Sequence, residues 1–187
     1  RRQRQMCIRD SPCDVAIVGV GIRPAIGWLQ SSGIELDNGV VVDQYCASSV
    51  PDVFAAGDLA NWYHPRLGHR LRVEHWDNAM HQGVAAARSM LGKGEPYAPV
   101  PYFWSDQYEI NLQYVGHATH WDQVVFRGDI PGRSLSAFYV LDGKMTAALV
   151  INRFKDLRPS RRLIEAMVDV DLAQLADPQV DLRSLSR

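Results

Sequence analysis

The sequence predicts an α/β region followed by a smaller α+β region, and three observations support this prediction. A run of small and β-branched residues bounded by glycine, DVAIVG, begins at Asp14 and is typical of a buried strand in a parallel sheet. A long helical pattern, VEHWDNAMHQGVAAARSMLG, occupies residues 73–92. Beyond residue 100, alternating apolar and polar positions around the turn pair Asp142-Gly143 indicate antiparallel strands.

Composition excludes several classes of protein. The chain has 187 residues, of which 47% are hydrophobic, so it can bury a substantial core. Its 20 basic and 21 acidic side chains leave a net charge of -1, which gives no overall attraction to nucleic acid or anionic lipid. No apolar run approaches the ~20 residues of a membrane helix. The three cysteines show no disulfide or metal spacing, so we expect a cytoplasmic protein. From the charge balance and the lack of a membrane segment we expect neither nucleic-acid nor membrane partners.

Residues 1–13 do not share the pattern of the chain that follows. The stretch RRQRQMCIRDSP shows neither strand alternation nor a helical stripe. One interpretation is a frayed, charged terminus. The other, which we favour, is translated library-adaptor sequence at the edge of an assembled read, with the natural protein continuing further upstream.

Two glycines, Gly19 and Gly21, follow the first predicted strand. They resemble the start of a dinucleotide fingerprint, but that fingerprint needs a third glycine where Pro24 stands. Because glycine has no Cβ, these positions would let the backbone approach a flat ligand closely. The residues alone leave a plain strand-to-helix turn as an equal alternative.

The stretch VFAAGDLA ends a predicted strand on a glycine and a carboxylate. Asn38-Gly39 predicts a tight turn into the strand Val40 to Val42, and Val53 to Ala56 form the next predicted strand. Gly57 then frees the backbone, and Asp58 lies where open α/β sheets bind ligands. An ionised carboxylate only accepts hydrogen bonds, so it suits the hydroxyl groups of a sugar or sugar alcohol. From these residues alone, a turn or N-cap aspartate is the alternative.

The helical pattern has one face of small residues. Ala79, Gly83 and Ala86 would let the helix lie very close to a sheet or a cofactor, and Gly92 ends it. Larger apolar residues recur at helical spacing: Trp76, Met80, Val84, Met90 and Leu91. Free N–H groups and the positive end of the helix dipole make the helix start a partner for an anionic ligand atom.

The C-terminal part reads as strands followed by two helices. The predicted strands are YFWSDQY, NLQYVG, QVVFRG, SLSAFYV and KMTAALVIN. The helices are predicted near Ser160 to Val168 and near Asp171 to Ala176. Together these elements predict a small α+β domain.

Three segments occur in a characteristic order: VFAAGDLA, then EHWDNAMHQG, then PYFWSDQYEINLQYVG. With them the chain resembles the FAD-dependent pyridine nucleotide-disulfide oxidoreductases of the ferredoxin or rubredoxin reductase type, which feed Rieske oxygenases or cytochrome P450 systems. LADPQVDLRSL resembles the tail of biphenyl-dioxygenase and related ferredoxin reductases. The resemblance spans Asp14 to about Leu185. It implies a partial FAD/NAD(P)-binding domain of the glutathione-reductase-like fold, followed by a small α+β reductase domain.

The resemblance also implies a division into domains. Residues 14–30 would end an NAD-binding domain, residues 31–99 would form the second half of a discontinuous FAD-binding domain, and residues 100–187 would form the C-terminal reductase domain. In such reductases the glycine fingerprints for FAD and NAD lie upstream, and neither occurs here. We therefore expect a fragment that alone binds neither FAD nor NADH tightly.

Cofactor roles follow from the resemblance residue by residue. Asp58, preceded by Gly57, matches the aspartate that binds the ribityl hydroxyls of FAD. Glu74, His75 and Trp76 match the segment beside the pyrimidine end of the flavin, where the helix start would favour the reduced form.

Three further positions are assigned in the same way. Ala79 lies on the small helix face toward the cofactor, and Gly21 matches a glycine near the bound nicotinamide nucleotide. Trp104 matches an aromatic residue near the flavin ring, although a core aromatic between domains is the alternative. No side chain is expected to do acid or base work, since the flavin accepts hydride and passes on single electrons. We expect no metal site, because His117 and His120 lack a third ligand.

The implied function is electron transfer from NAD(P)H, with NADH favoured, through FAD to a small iron–sulfur carrier such as a ferredoxin, or to a rubredoxin. A basic cluster would steer an acidic carrier, and a solvated helix face is the alternative for it. The cluster comprises Arg153, Lys155, Arg158, Arg161 and Arg162. The alternative functions are a nitrite-reductase-like or apoptosis-inducing-factor-like flavoprotein, or a non-catalytic interaction module.

Overall fold

The computed structural model describes residues 12–186, which contain two separate sheets. The first sheet has three strands: β1 (Val40–Val42), β2 (Ala60–His64) and β3 (His69–Leu71). β1 pairs in parallel with β2, and β2 pairs antiparallel with β3. Helix α1 (Trp76–Met90) follows directly and leads, through residues 91–101, into the second sheet.

The first core forms around the parallel pair of strands. All three valines of β1 are buried, as expected for a strand covered on both faces. Trp62 of β2 is fully buried and packs against Tyr97 from the segment after α1, with ring centroids 5.8 Å apart. This core therefore joins the sheet, the inward side of α1 and the connection to the second sheet.

The prediction of a strand at DVAIVG is wrong for the residues that the structure describes. Residues 15–26 adopt neither helix nor strand, and Ile17 is 97% exposed. A β-branched run predicts burial only where a neighbouring strand supplies backbone partners. None of the strands within residues 12–186 pairs with this segment.

The prediction for Val53 to Ala56 also needs correction. This stretch makes a single bridge, between Ala47 and Phe54, and is not a strand of the sheet. A one-turn 3-10 helix over Gly57–Leu59 then opens into β2, so Asp58 precedes a sheet strand instead of following one. The stretch is apolar because it packs on the first core, where Phe54, Ala55 and Ala56 are partly buried.

Helix α1 is confirmed, and part of its predicted small face packs inward. The buried residues are Asn78, Gln82 and Ala86, spaced four apart. The larger apolar residues that recur at helical spacing are exposed: Trp76, Met80, Val84, Met90 and Leu91. On the small face, Ala79 lies against the 3-10 turn, whereas no atom lies within 4 Å of the position that a Cβ on Gly83 would take. The helix therefore packs through a narrow polar and small side.

The second sheet is antiparallel, in the order β4-β5-β8-β7-β6. Its strands are β4 (Tyr102–Gln107), β5 (Ile110–Gly116), β6 (Gln123–Asp129), β7 (Ser134–Leu141) and β8 (Lys144–Ile151). The predicted hairpin is confirmed: Asp142 and Gly143 join β7 to β8 with φ values of 48° and 74°. Two positive φ values are what a two-residue hairpin turn requires.

Two helices complete the second domain, α2 (Leu157–Ala166) and α3 (Leu172–Ala176). α2 begins earlier than predicted because Pro159 lies in its first turn, where a missing N–H costs nothing. Asp171 caps α3 by accepting hydrogen bonds from the N–H groups of Ala173 and Gln174. No helix among residues 12–186 is long and apolar enough to cross a membrane.

A buried arginine holds the C-terminal tail on the second sheet. The guanidinium of Arg127 donates to the carbonyls of Leu175, Asp177 and Val180 at 2.6 to 3.2 Å. Its Nε lies 3.3 Å from the buried carboxylate of Asp156. The tail after α3 is therefore fixed by backbone contacts to one charged side chain.

Candidate functional site

A cavity of about 740 Å³ lies between the two parts of the chain. One wall is the segment that runs from β3 into α1, and the other is formed by β4, the end of β5 and the residue after it. The lining residues are Arg72, Val73, Glu74, His75, Trp76, Phe103, Trp104, Tyr114, Gly116 and His117. Residues of the segment after β3, of the helix start and of the second sheet thus converge on one space.

Aromatic rings cover both walls. Trp76 meets Trp104 edge-on, with centroids 5.7 Å apart and an interplanar angle of 81°. His75 contacts Phe103 at 5.0 Å, and Phe103 stacks on Tyr114 at 5.2 Å. Trp104 is 42% exposed, so it lies at the cavity mouth and is not enclosed in a core. These walls suit a flat, conjugated ring system.

The start of α1 borders this cavity. His75 is the N-cap residue, with extended φ and ψ, and no side chain among the described residues caps this helix end. The N–H groups of the first turn therefore carry the partial positive charge of an uncapped helix start. The arrangement can stabilise negative charge on a group bound beside His75 and Trp76.

Two histidines of the cavity have lowered pKa values. Burial lowers the pKa of His75 more than the nearby carboxylates of Asp77, Asp58 and Glu74 raise it. Burial also lowers the pKa of His117, and neighbouring histidines add to the effect. Both imidazoles are therefore neutral near pH 7. The buried Nδ1 of His75 has no hydrogen-bond partner among the described residues.

Asp58 is tied to the cavity through Arg72. The Arg72 guanidinium donates to the Asp58 carbonyl at 2.9 Å and pairs with the Glu74 carboxylate at 2.9 Å. The Gly57 N–H donates to Oε1 of Gln82 at 2.8 Å, which anchors the same turn on α1. The Asp58 side chain is exposed beside this anchored backbone, so its carboxylate can accept hydrogen bonds from hydroxyl groups.

Two protein families match most of the chain. Residues 102–186 match the reductase C-terminal family, and residues 5–83 match the pyridine nucleotide-disulphide oxidoreductase family. The chain therefore combines part of a pyridine nucleotide-disulphide oxidoreductase domain with a reductase C-terminal domain. The expected family and fold class are therefore confirmed.

Two reductase components are similar to nearly the whole chain. The ferredoxin–NAD(+) reductase component of the anthranilate 1,2-dioxygenase system of Burkholderia cepacia is 39% identical over 94% of the chain. The ferredoxin reductase subunit of 5,5'-dehydrodivanillate O-demethylase of Sphingobium sp. is 42% identical over 94% of the chain. The chain spans 43% of the length of each of these two relatives.

A solved ferredoxin reductase has the same architecture. The structure of the ferredoxin reductase for the CYP199A2 system from Rhodopseudomonas palustris superposes with a TM-score of 0.88 at 36% identity. The alignment covers 94% of this chain and 44% of the solved one. The arrangement of the two sheets around α1 is thus shared with this reductase.

Most of the residues expected at a ferredoxin-reductase cofactor site lie together. Glu74, His75, Trp76 and Trp104 line the cavity. Gly57 and Asp58 form the turn anchored on α1, where Ala79 lies 3.4 Å from the position of a Cβ on Gly57. The structure does not bring Gly21 to this group, because Gly21 is exposed and no atom lies within 4 Å of the position of its Cβ.

Several residues of the site were missed in the sequence. Phe103 and Tyr114 are cross-strand partners in the β4–β5 pair. Pairing YFWSDQ with INLQYV across the intervening turn at Tyr108 would have placed these two rings side by side. Arg72 and Gln82 carried no signal, since their roles depend on contacts with a turn 14 and 25 residues away.

The side chains of the basic cluster make different contacts. Arg153 is held by the Asp156 carboxylate at 2.6 Å, and Arg161 lies over the ring of Tyr102 at 5.7 Å. Lys155 and Arg158 instead line a second cavity of about 500 Å³ beside the C-terminal tail. Among residues 12–186, no group of three or more histidine, cysteine, aspartate or glutamate side chains could hold a metal ion.

Proposed function

We propose that this chain carries part of an FAD site in a reductase that passes electrons from NAD(P)H to a small iron–sulfur carrier. The observation that carries the proposal is the aromatic cavity at the uncapped start of α1, with the Asp58 turn tied to it by Arg72. A bound flavin would supply both hydride acceptance and release of single electrons. The residues of this chain would bind and orient it.

The cavity residues fit a flavin ring. Aromatic rings on opposite walls, neutral histidines and a His75 Nδ1 without a partner among the described residues suit a planar group that carries hydrogen-bonding edges. The positive end of the α1 dipole stabilises negative charge near His75 and Trp76, so this chain favours the reduced cofactor.

We assign the ribityl hydroxyls of FAD to the Asp58 carboxylate. Support comes from its exposure, its acceptor-only chemistry and the fixed backbone of the turn that carries it. Within the same proposal, residues 31–99 contribute to an FAD-binding domain, and residues 100–187 form the reductase C-terminal domain.

The electron donor in this proposal is NADH. The name of the Burkholderia cepacia relative, a ferredoxin–NAD(+) reductase component, supports this choice. Residues 14–30 would end the domain that binds the nicotinamide nucleotide, with Gly21 near it.

The electron acceptor in this proposal is a ferredoxin. The two curated relatives are named as reductases of such carriers. We also propose a cytoplasmic location, which agrees with the unpaired state of the two described cysteines, Cys13 and Cys46.

Flavin retention and electron transfer test the proposed function. The purified 187-residue chain, and a version extended upstream through its natural reading frame, are mixed with FAD, desalted and examined by absorbance. We expect the extended version to retain flavin and to reduce a [2Fe–2S] ferredoxin with NADH. Flavin retained by neither protein would contradict the proposal and favour a non-catalytic interaction module.

A further inference from the structure

The inward side of α1 carries a chain of buried polar groups. Gln82 is 0% exposed, although the helix could pack there with an apolar residue. Burial of an amide is unfavourable unless its hydrogen bonds are satisfied. The Nε2 of Gln82 has no partner among the described residues, so this side chain is not optimised for stability.

The acceptor atom of Gln82 meets the Asp58 turn. Its Oε1 accepts a hydrogen bond of 2.8 Å from the N–H of Gly57, the first residue of the turn. This contact fixes the orientation of the amide, because the Gly57 N–H needs an oxygen opposite it. Asp58 is the next residue, so its backbone position depends directly on this bond.

The chain of hydrogen bonds continues away from the turn. Asn78 Nδ2 donates to the same Oε1 at 3.3 Å, and the Tyr97 hydroxyl donates to Asn78 Oδ1 at 3.1 Å. Tyr97 lies in the segment that leads to β4, which carries Trp104 on the opposite wall of the cavity. Burial raises the pKa of Tyr97, so its phenol keeps the donated proton.

We propose that Gln82 is a positioning residue that fixes the Asp58 turn, and that Asn78 and Tyr97 connect this turn to the segment preceding β4. This chain of hydrogen bonds would set the position of the Asp58 carboxylate relative to the cavity. This inference rests on the proposed FAD function for its consequence, while the positioning itself can be measured without a cofactor.

Hydrogen exchange of the Gly57 amide, followed by NMR in the ¹⁵N-labelled 187-residue chain, tests the positioning. Gln82→Met removes the acceptor at similar volume, and we expect Gly57 exchange to accelerate about tenfold or more while the Ala86 amide is unchanged. Gln82→Glu keeps an acceptor oxygen and should restore protection. Tyr97→Phe should give a smaller acceleration. Ser89→Ala is the matched control, since Ser89 Oγ lies on the same helix without a partner among the described residues.

An unchanged Gly57 rate in Gln82→Met would overturn the proposal, and a fall in thermal midpoint alone would assign Gln82 to packing. If Gln82→Met does not fold, an unchanged exchange rate of the Gly57 amide in Tyr97→Phe would overturn the proposed connection through Asn78 and Tyr97. In the upstream-extended version, Gln82→Met should raise the FAD dissociation constant about tenfold, and Gln82→Glu should not. An unchanged dissociation constant in Gln82→Met would show that the hydrogen bond from Gly57 to Gln82 does not affect FAD binding. A wild-type version that binds no FAD would contradict the proposed function, with the Gly57 result still deciding the positioning.

Discussion

Gly57 adopts a φ of +78° at the start of the turn that carries Asp58. A side chain there would be strained, and its Cβ would lie 3.4 Å from the Cβ of Ala79. We expect Gly57→Ala to lower the free energy of unfolding by about 1–2 kcal/mol, the cost of a left-handed conformation. Urea denaturation measures this change.

Gly83→Ala is the matched control for that substitution. Gly83 lies in the exposed middle of α1, with no atom within 4 Å of its Cβ position, so alanine there should stabilise by about 0.5–1 kcal/mol. A Gly57→Ala protein as stable as the wild type would show that the turn does not require glycine.

The sequence was enough to predict those properties of the site that depend only on residue type, such as hydrogen-bonding character and backbone freedom. The acceptor character of Asp58 and the need for a glycine before it follow from their types. Gln82 was not recognised, because an isolated glutamine in a helix is usually a solvent-facing residue. Only the position of the turn relative to α1 reveals that its oxygen meets the Gly57 N–H.

At the scale of elements, the C-terminal tail depends on Arg127. Replacement by methionine would remove the guanidinium hydrogen bonds to three tail carbonyls and one positive charge beside buried Asp156. We expect Arg127→Met to lower the free energy of unfolding by about 3–5 kcal/mol, as for other broken buried ion pairs.

Thermal or urea denaturation checks this expectation against Arg162→Met. Arg162 is exposed on α2, so its replacement should change stability by less than about 0.5 kcal/mol. Equal effects of the two substitutions would mean that the tail does not rely on the buried arginine.

Elements were predictable where their signals are local. The β7–β8 hairpin follows from Asp142-Gly143, and α1 follows from its period. The period could not reveal which side of α1 faces inward, since that depends on the neighbouring sheet and turn. Likewise, DVAIVG reads as a buried strand, yet no described strand pairs with it.

At the scale of the whole molecule, buried histidines make stability depend on pH. His64 is fully buried and accepts a hydrogen bond from the Leu67 N–H through Nδ1, while its Nε2 faces the Pro99 carbonyl at 2.8 Å. Burial lowers the pKa of His64, and also those of His75 and His117. The unfolded chain therefore binds more protons than the folded chain at mildly acidic pH.

We expect the thermal midpoint to be highest above pH ~6.5, the unfolded-state histidine pKa, and to fall as the pH is lowered toward 5. Thermal scans between pH 8 and 5 test this. His64→Gln should flatten the profile, whereas replacement of exposed His120 by glutamine should leave its shape unchanged. A profile independent of pH in the wild type would contradict this account.

The relation between the two sheets could not be predicted from patterns alone. The cavity arises because the segment entering α1 faces β4 and β5, which lie 26 or more residues later in the chain. The separation of Gly21 from the cavity likewise required the structure.

The most direct test of the FAD assignment is the dissociation constant for FAD of the upstream-extended version, with and without Asp58→Asn. Asp52→Asn is the control, because it makes the same charge change at an exposed residue whose φ of 62° asparagine tolerates. We predict that Asp58→Asn raises the dissociation constant about 10- to 100-fold, the loss of a hydrogen bond to a charged group, and that Asp52→Asn leaves it unchanged. Equal affinity of the wild type and Asp58→Asn would contradict the assignment.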